Sequence, residues 1–219
     1  MRILQGTKVI DAPPGWRKRL DADGRHVVVD LGAGDGRYIY ESARGDTTRL
    51  YVGVDPDAEA LSEYAYRAGR KPSRGGIANA LFVVAPVEQL PPELSRIAAL
   101  VRVNFPWGSL MRGLLEPDES TLQQLEWLLR PGGSWEIVAS YDPAHDTGAF
   151  AGEALPPLDG AYVDNRLVPA YEASGLQVTE SRRMTQDEAL ALPSNWGRRL
   201  LHARPREVFF LAGVLASER

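Results

Sequence analysis

In Val27-Val-Val-Asp30-Leu-Gly32-Ala-Gly34-Asp-Gly36 a run of β-branched residues ends in an acid and passes into a glycine-rich turn. This is the pattern of a buried strand, a tight turn and the start of a helix. The glycines permit positive φ and let the backbone approach a ligand closely. Their order is not that of a nicotinamide site, which would read G-x-G-x-x-G, because position 37 is arginine. An acid placed ahead of the glycines repels a pyrophosphate but can hold an ammonium, such as that of a methionine moiety. The turn therefore points to S-adenosylmethionine rather than to a dinucleotide.

Working outward, apolar runs that read as buried strands recur at His26–Asp30, Leu50–Val54, Ala80–Val84, Leu100–Asn104, Ser134–Ala139 and Leu176–Ser181, with Val208–Leu215 as a closing strand. Helical patterns fall between them at Arg37–Ala43, Asp57–Ala68, Leu110–Leu115, Ser120–Leu129 and Asp164–Ser174, the last followed by Gly175. Alternation of this kind implies an α/β fold of the Rossmann-like class, with a seven-stranded, mostly parallel sheet covered on both faces. Ile3–Leu4 and Val9–Ile10 flank Gln-Gly-Thr-Lys and suggest an N-terminal β-hairpin. The segments Tyr141–Tyr162 and Met184–Arg206 break the alternation and read as irregular insertions that carry substrate recognition. The length of 219 residues suits one domain spanning 1–219.

Composition limits the chemistry. The chain has no cysteine, and His26, His145 and His202 lack metal-ligand spacing, so the expected mechanism uses no metal. There is no long apolar run and no leader-like start, which suggests a cytoplasmic protein without membrane contact, and a monomer is expected. The formal net charge of −4 argues against indiscriminate coating of nucleic acid. Two acid-free stretches stand apart from that balance. Tyr64–Val87 carries Arg67, Arg70, Lys71 and Arg74, and Ala189–Arg206 carries Arg198, Arg199, Arg204 and Arg206.

At the other strand ends, Asp55-Pro56 follows the second strand about 20 residues past the glycines, the usual place for a ribose-binding acid. Ala85 and Glu88 follow the third strand and suit an adenine. The fourth strand runs into Asn104-Phe-Pro106-Trp107-Gly-Ser109. This resembles the Asn-Pro-Pro-aromatic tetrapeptide of methyltransferases that modify amino groups of bases, with Phe105 in place of the first proline. Trp107 would then be a stacking platform for a flipped base, and Asn104 and Pro106 are expected to be catalytic with it, in a turn whose backbone carbonyls accept hydrogen bonds from an exocyclic amine. An adenine N1 already carries a lone pair, so methylation there needs alignment more than deprotonation. A small-molecule methyltransferase would share the cofactor half, and another RNA or DNA base remains an alternative substrate. The two basic stretches favour RNA.

Taken together, Asp30-Leu-Gly-Ala-Gly-Asp-Gly36, Lys71-Pro-Ser-Arg-Gly-Gly76, Phe105-Pro-Trp-Gly-Ser-Leu110 and Ser194-Asn-Trp-Gly-Arg-Arg-Leu200 resemble the aminoglycoside-resistance 16S rRNA methyltransferases that modify N1 of adenine 1408. The resemblance is collinear and covers nearly the whole chain. It implies methylation at the decoding site of the assembled small ribosomal subunit, with a flipped adenine between two tryptophans matching Trp107 and Trp196. It also places Asp30, Gly32, Asp55, Ala85, Glu88 and Ser109 at the S-adenosylmethionine site, where Gly34 of the glycine turn and Pro56 beside Asp55 are expected as well. Arg67, Arg70, Lys71, Ser194, Arg199, Arg204 and Arg206 fall on RNA-binding positions, and Arg74 in the first basic stretch is expected to join them. The Tyr141–Tyr162 insertion departs from the family: it lacks an arginine that some relatives carry near its middle, and Glu153 and Glu41 are the acids near that region.

Overall fold

A computed structural model describes residues 1–146 and 155–216 of the chain. Its strands are β1 (Arg2–Gln5), β2 (Lys8–Asp11), β3 (His26–Leu31), β4 (Arg49–Asp55), β5 (Ala80–Val84), β6 (Ala98–Asn104), β7 (Leu129–Ala139), β8 (Leu176–Met184) and β9 (Val208–Leu215). They form one sheet in the order β2-β1-β5-β4-β3-β6-β7-β9-β8. All seven expected strands are present, and the hairpin joins them through a single antiparallel pair, Ile3 with Val83, so the sheet has nine strands. The five central strands are mutually parallel, while β9 runs antiparallel to β7 and β8.

The helices are α1 (Trp16–Asp23), α2 (Arg37–Gly45), α3 (Ala58–Ala68), α4 (Gly108–Leu115), α5 (Glu119–Leu128), α6 (Gly160–Tyr162), α7 (Val168–Ala173), α8 (Gln186–Ala191) and α9 (Asn195–Ala203). A π-helical turn, Val163–Leu167, joins α6 to α7, and Gly175 follows at φ 78°. Successive residues of β3 serve different layers. Val27, Val29 and Leu31 enter one apolar cluster with Trp135 and Met111, and Val28 enters another with Ile39, Leu61 and Phe82. Burial on both faces is why these strands read as continuous apolar runs.

The Met184–Arg206 segment is not irregular, as its proline and arginines suggest. It folds as α8 and α9, which close a third cluster of Phe105, Val138, Ala189, Leu200, Leu201 and Val208. In the Tyr141–Tyr162 insertion the expected recognition loop, with Glu153, lies partly outside the described residues. The strand order turns back on either side of β3, with β4 on one flank and β6 on the other. A ligand crevice opens beyond the carboxyl ends of strands at such a switch point.

Candidate active site

That crevice is a cavity of about 550 Å³, within the range of small-molecule sites. Its walls include Asp30, Gly32, Gly34, Asp55, Pro56, Ala85 and Glu88 from the ends of β3, β4 and β5. Asn104, Pro106, Trp107 and Ser109 line it from the end of β6, and Ser194, Trp196 and Arg199 from α9 and its cap. Parallel strands that end together bring Asp30, Asp55, Ala85 and Asn104 to one wall, and α9 adds Arg199, 169 positions from Asp30.

The glycine turn is held by its neighbours. Gly32 and Ala33 donate their amides to the Val54 carbonyl, and Gly36 closes the turn onto the Ala33 carbonyl at 2.9 Å. Gly36 sits at φ 77°, and a Cβ there would lie 2.6 Å from the Phe82 ring, so no larger residue fits. Asp55 accepts the Gly34 amide through Oδ2 at 2.8 Å and the Asp57 amide through Oδ1 at 2.9 Å, which fixes its carboxylate beside the turn. Glu88 and Ser109 are exposed at the rim.

Asp30 is 2 % exposed. The Asn104 amide donates to its Oδ1 at 3.0 Å, so Asn104 acts on this carboxylate. Burial pushes the Asp30 carboxyl up to about 7, against the pull of Asn104 and Arg102, and Asp55 and Asp35 add to the rise. Arg102 faces Asp30 across the β3–β6 pair and forms an ion pair with Glu136 on β7, while its guanidinium lies 5.4 Å from the Tyr38 ring centroid. A buried carboxylate with one oxygen still free is a strong acceptor for an ammonium, and Asp55 keeps lone pairs for a hydroxyl pair. The donor set and the open glycine turn therefore fit S-adenosylmethionine. Tyr38 and Arg102 were not singled out from sequence. Of the two, only Arg102 has a signal in the strand pattern, as the residue opposite Asp30 in the β3–β6 register; Tyr38 comes from α2 and meets Arg102 only in the fold.

At the far end of the cavity the Trp107 and Trp196 rings meet edge to face, with centroids 5.2 Å apart and planes at 77°. They are 41 % and 37 % exposed, against the near-complete burial of Trp135. Phe105, at φ 50°, is buried beneath α9. Its ring would lie 2.4 Å from a Cβ at position 197, so Gly197 lets the helix settle onto the turn that bears Trp107. A non-glycine residue in that backbone region stores strain, which clusters at functional sites. The phenylalanine that replaces a proline of the tetrapeptide thus seats the helix bearing the second tryptophan.

The RNA-binding expectations divide. Arg70, Lys71 and Arg74 are exposed, as is Arg199 at the cavity, whereas Arg67 is paired with Glu63 at 2.5 Å and lies over the Tyr64 ring. Ser194 caps α9 by accepting the Gly197 amide at 3.0 Å, and Arg204 is half-buried. Arg206 requires a correction. Its side chain is 4 % exposed and grips Asp146 with two hydrogen bonds of 2.5 and 2.8 Å, so its cation is consumed inside the protein. Among the described residues no cluster of potential ligands could hold a metal ion.

A family model for NpmA, 16S rRNA (adenine(1408)-N(1))-methyltransferase, matches residues 2–215. The chain belongs to this family. A 16S rRNA (adenine(1408)-N(1))-methyltransferase of Escherichia coli is 32% identical over 217 residues, covering 97% of this chain and 98% of the relative. Another from Streptoalloteichus tenebrarius is 32% identical over 217 residues, covering 99% and 100%. A variant of the Catenulisporales acidiphilia 16S rRNA (adenine(1408)-N(1))-methyltransferase, crystallised with its cosubstrate SAM, superposes with a TM-score of 0.90 at 30% identity, covering 100% of this chain and 98% of that one. As a member of the 16S rRNA (adenine(1408)-N(1))-methyltransferase family the protein is an S-adenosylmethionine-dependent enzyme on a Rossmann-like fold, of the aminoglycoside-resistance type.

Proposed function

We propose that the protein methylates N1 of adenine 1408 within the assembled small ribosomal subunit, acting as a cytoplasmic monomer, and that Trp107 and Trp196 hold the flipped base. The observation that carries this reading is the single cavity that joins the carboxylates of Asp30 and Asp55 to the tryptophan pair. When bound, S-adenosylmethionine supplies an electrophilic methyl group. Asp30 would hold its ammonium, Asp55 its ribose hydroxyls, and Ala85 with Glu88 would border its adenine. Among the described residues no helix is long and apolar enough to cross a membrane.

A base between two rings needs two van der Waals contacts, hence roughly 7 Å of separation, more than the 5.2 Å seen here. The rings must part to admit the adenine. Their mutual contact, about 0.5–1.5 kcal/mol, is exchanged for two stacking contacts of about 1–3 kcal/mol each. Catalysis is then alignment of the N1 lone pair with the methyl group, and no side chain has to remove a proton before attack.

The test is transfer of labelled methyl groups to intact small subunits, with primer extension to locate the product. Wild-type protein is expected to stop extension at adenine 1408. Trp107→Ala and Trp196→Ala are expected to lose nearly all transfer while keeping fold and cofactor affinity, and phenylalanine at either site to keep part of the rate. A folded Trp196→Ala protein with full activity would remove the two-ring clamp.

A further inference from the structure

Trp196 stands at the first turn of α9, and the residue before it reaches away from the helix into the glycine turn. The Asn195 side-chain carbonyl accepts a short hydrogen bond from Arg37 Nη1, and its Nδ2 donates to Asp35 Oδ2 at 2.6 Å. Asp35 accepts the Arg37 amide through its other oxygen at 3.0 Å. The side chains of Asn195, Asp35 and Arg37, together with the Arg37 backbone amide, thus close a ring of hydrogen bonds between segments about 160 residues apart, and Asp35 itself lines the cavity. The arrangement is costly for a mere surface tie. Arg37 Nε is buried without a partner, and an unpaired buried donor disfavours folding. Apart from this ring, the start of α9 rests on Phe105 through Gly197, on the side that faces the Trp107 turn.

Resting on the two-ring reading of the base site, we infer that Asn195 is a positioning residue for methyl transfer. It latches the Trp196 end of α9 to Asp35 and Arg37, so that the cofactor turn and the base platform hold one geometry. Phe105 sets the height of the helix over β6, and Asn195 sets its lateral place over β3. Without the latch the ring of Trp196 would wander relative to the methyl group, and displacements of about 1 Å can cost on the order of 100-fold in rate.

The experiment has two readouts. The first needs no RNA: two indoles in contact give an exciton couplet in far-ultraviolet circular dichroism, isolated as wild type minus Trp107→Phe. The second is single-turnover transfer to small subunits. Asn195→Ala is expected to lose the couplet, to transfer about 10- to 100-fold more slowly, and to keep its melting temperature and cofactor affinity. Arg37→Met, which leaves the Asn195–Asp35 bond in place, is expected to show a smaller loss of both and serves if the first variant folds poorly. An unchanged couplet, or a lost couplet with full transfer, overturns the latch. So does loss of cofactor binding and melting temperature together in both variants, which would make Asn195 a structural residue. If wild-type protein does not methylate small subunits, the substrate reading fails while the couplet still decides the latch.

Discussion

The two acid-free basic stretches look alike in sequence and are unlike in the structure. In the first, the chain after α3 is a compact loop: Arg74 and Gly76 donate their amides to the Lys71 carbonyl, Ile77 donates to Ala68, and the Tyr40 hydroxyl donates to the Gly75 carbonyl at 2.8 Å. Arg70, Lys71 and Arg74 stand exposed on that rigid base. In the second, Arg199 reaches the cavity, Arg204 is half-buried and Arg206 is closed off on Asp146. An acid-free stretch therefore lacks only local partners. The partner of Arg206 lies 60 residues away.

The largest effect expected from this difference is on stability. Arg206→Ala leaves the Asp146 carboxylate buried and unpaired, which costs about 3–5 kcal/mol. Burial pushes the Asp146 carboxyl up, but Arg206 and the Asp142 amide outweigh it and hold it below the usual range. The pair's contribution is therefore present above the ordinary carboxylate range and lost as pH falls through the lowered value. Chemical denaturation near neutral pH measures the loss, and unchanged stability in Arg206→Ala would erase the contrast between the stretches.

Asp30 sharpens the contrast from the acidic side, because it is buried on Asn104 and, among the described residues, forms no ion pair, the nearby Arg102 being paired with Glu136. With its carboxyl raised to about 7, it favours the fold fully below the ordinary carboxylate range, and that stability is lost as pH rises toward about 7. Asp30→Asn is expected to raise the melting temperature of the cofactor-free protein at pH 8 and to weaken S-adenosylmethionine binding. In the wild type, cofactor affinity should fall as pH drops below about 7, because the ammonium needs the ionised carboxylate. A pH-independent affinity by calorimetry would show that Asp30 is ionised throughout.

The smallest effects belong to the exposed cations. Arg199→Ala should weaken binding to small subunits by about tenfold, the lower end for one charge-assisted hydrogen bond, with melting temperature and cofactor affinity unchanged. Lys71→Ala should weaken binding less and lower the slope of log affinity against log salt by about one. Equal stability losses in Lys71→Ala and Arg206→Ala would mean that burial does not separate the two stretches.

What could be read from sequence follows the same divide between local and distant causes. The buried strands were legible because β-branched runs such as Val27–Val29 have no other stable use, and Asp30, Asp55 and Glu88 were legible because strand ends converge. Helix α1 was not, since Trp16–Asp23 is largely polar and, among its described side chains, Leu20 alone is deeply buried. Helix α8 carried a signal in the capping box of Thr185 and Glu188, and α9 in the Ser194 cap followed by the buried Gly197, Leu200 and Leu201. Pro193 and the arginines obscured both. Asn195 lies within Ser194-Asn-Trp-Gly-Arg-Arg-Leu200, yet its role is not legible there, because its partners Asp35 and Arg37 lie at the glycine turn and the start of α2.

The unbroken cavity from Glu88 to Trp196 also bears on inhibition. A compound that joins an adenosine-like part to a flat heterocycle through a short linker would occupy both halves at once. The second half would bind at the effective concentration set by that linker. Such a molecule would have to prise apart two touching indoles, and its selectivity over other methyltransferases would come from that end.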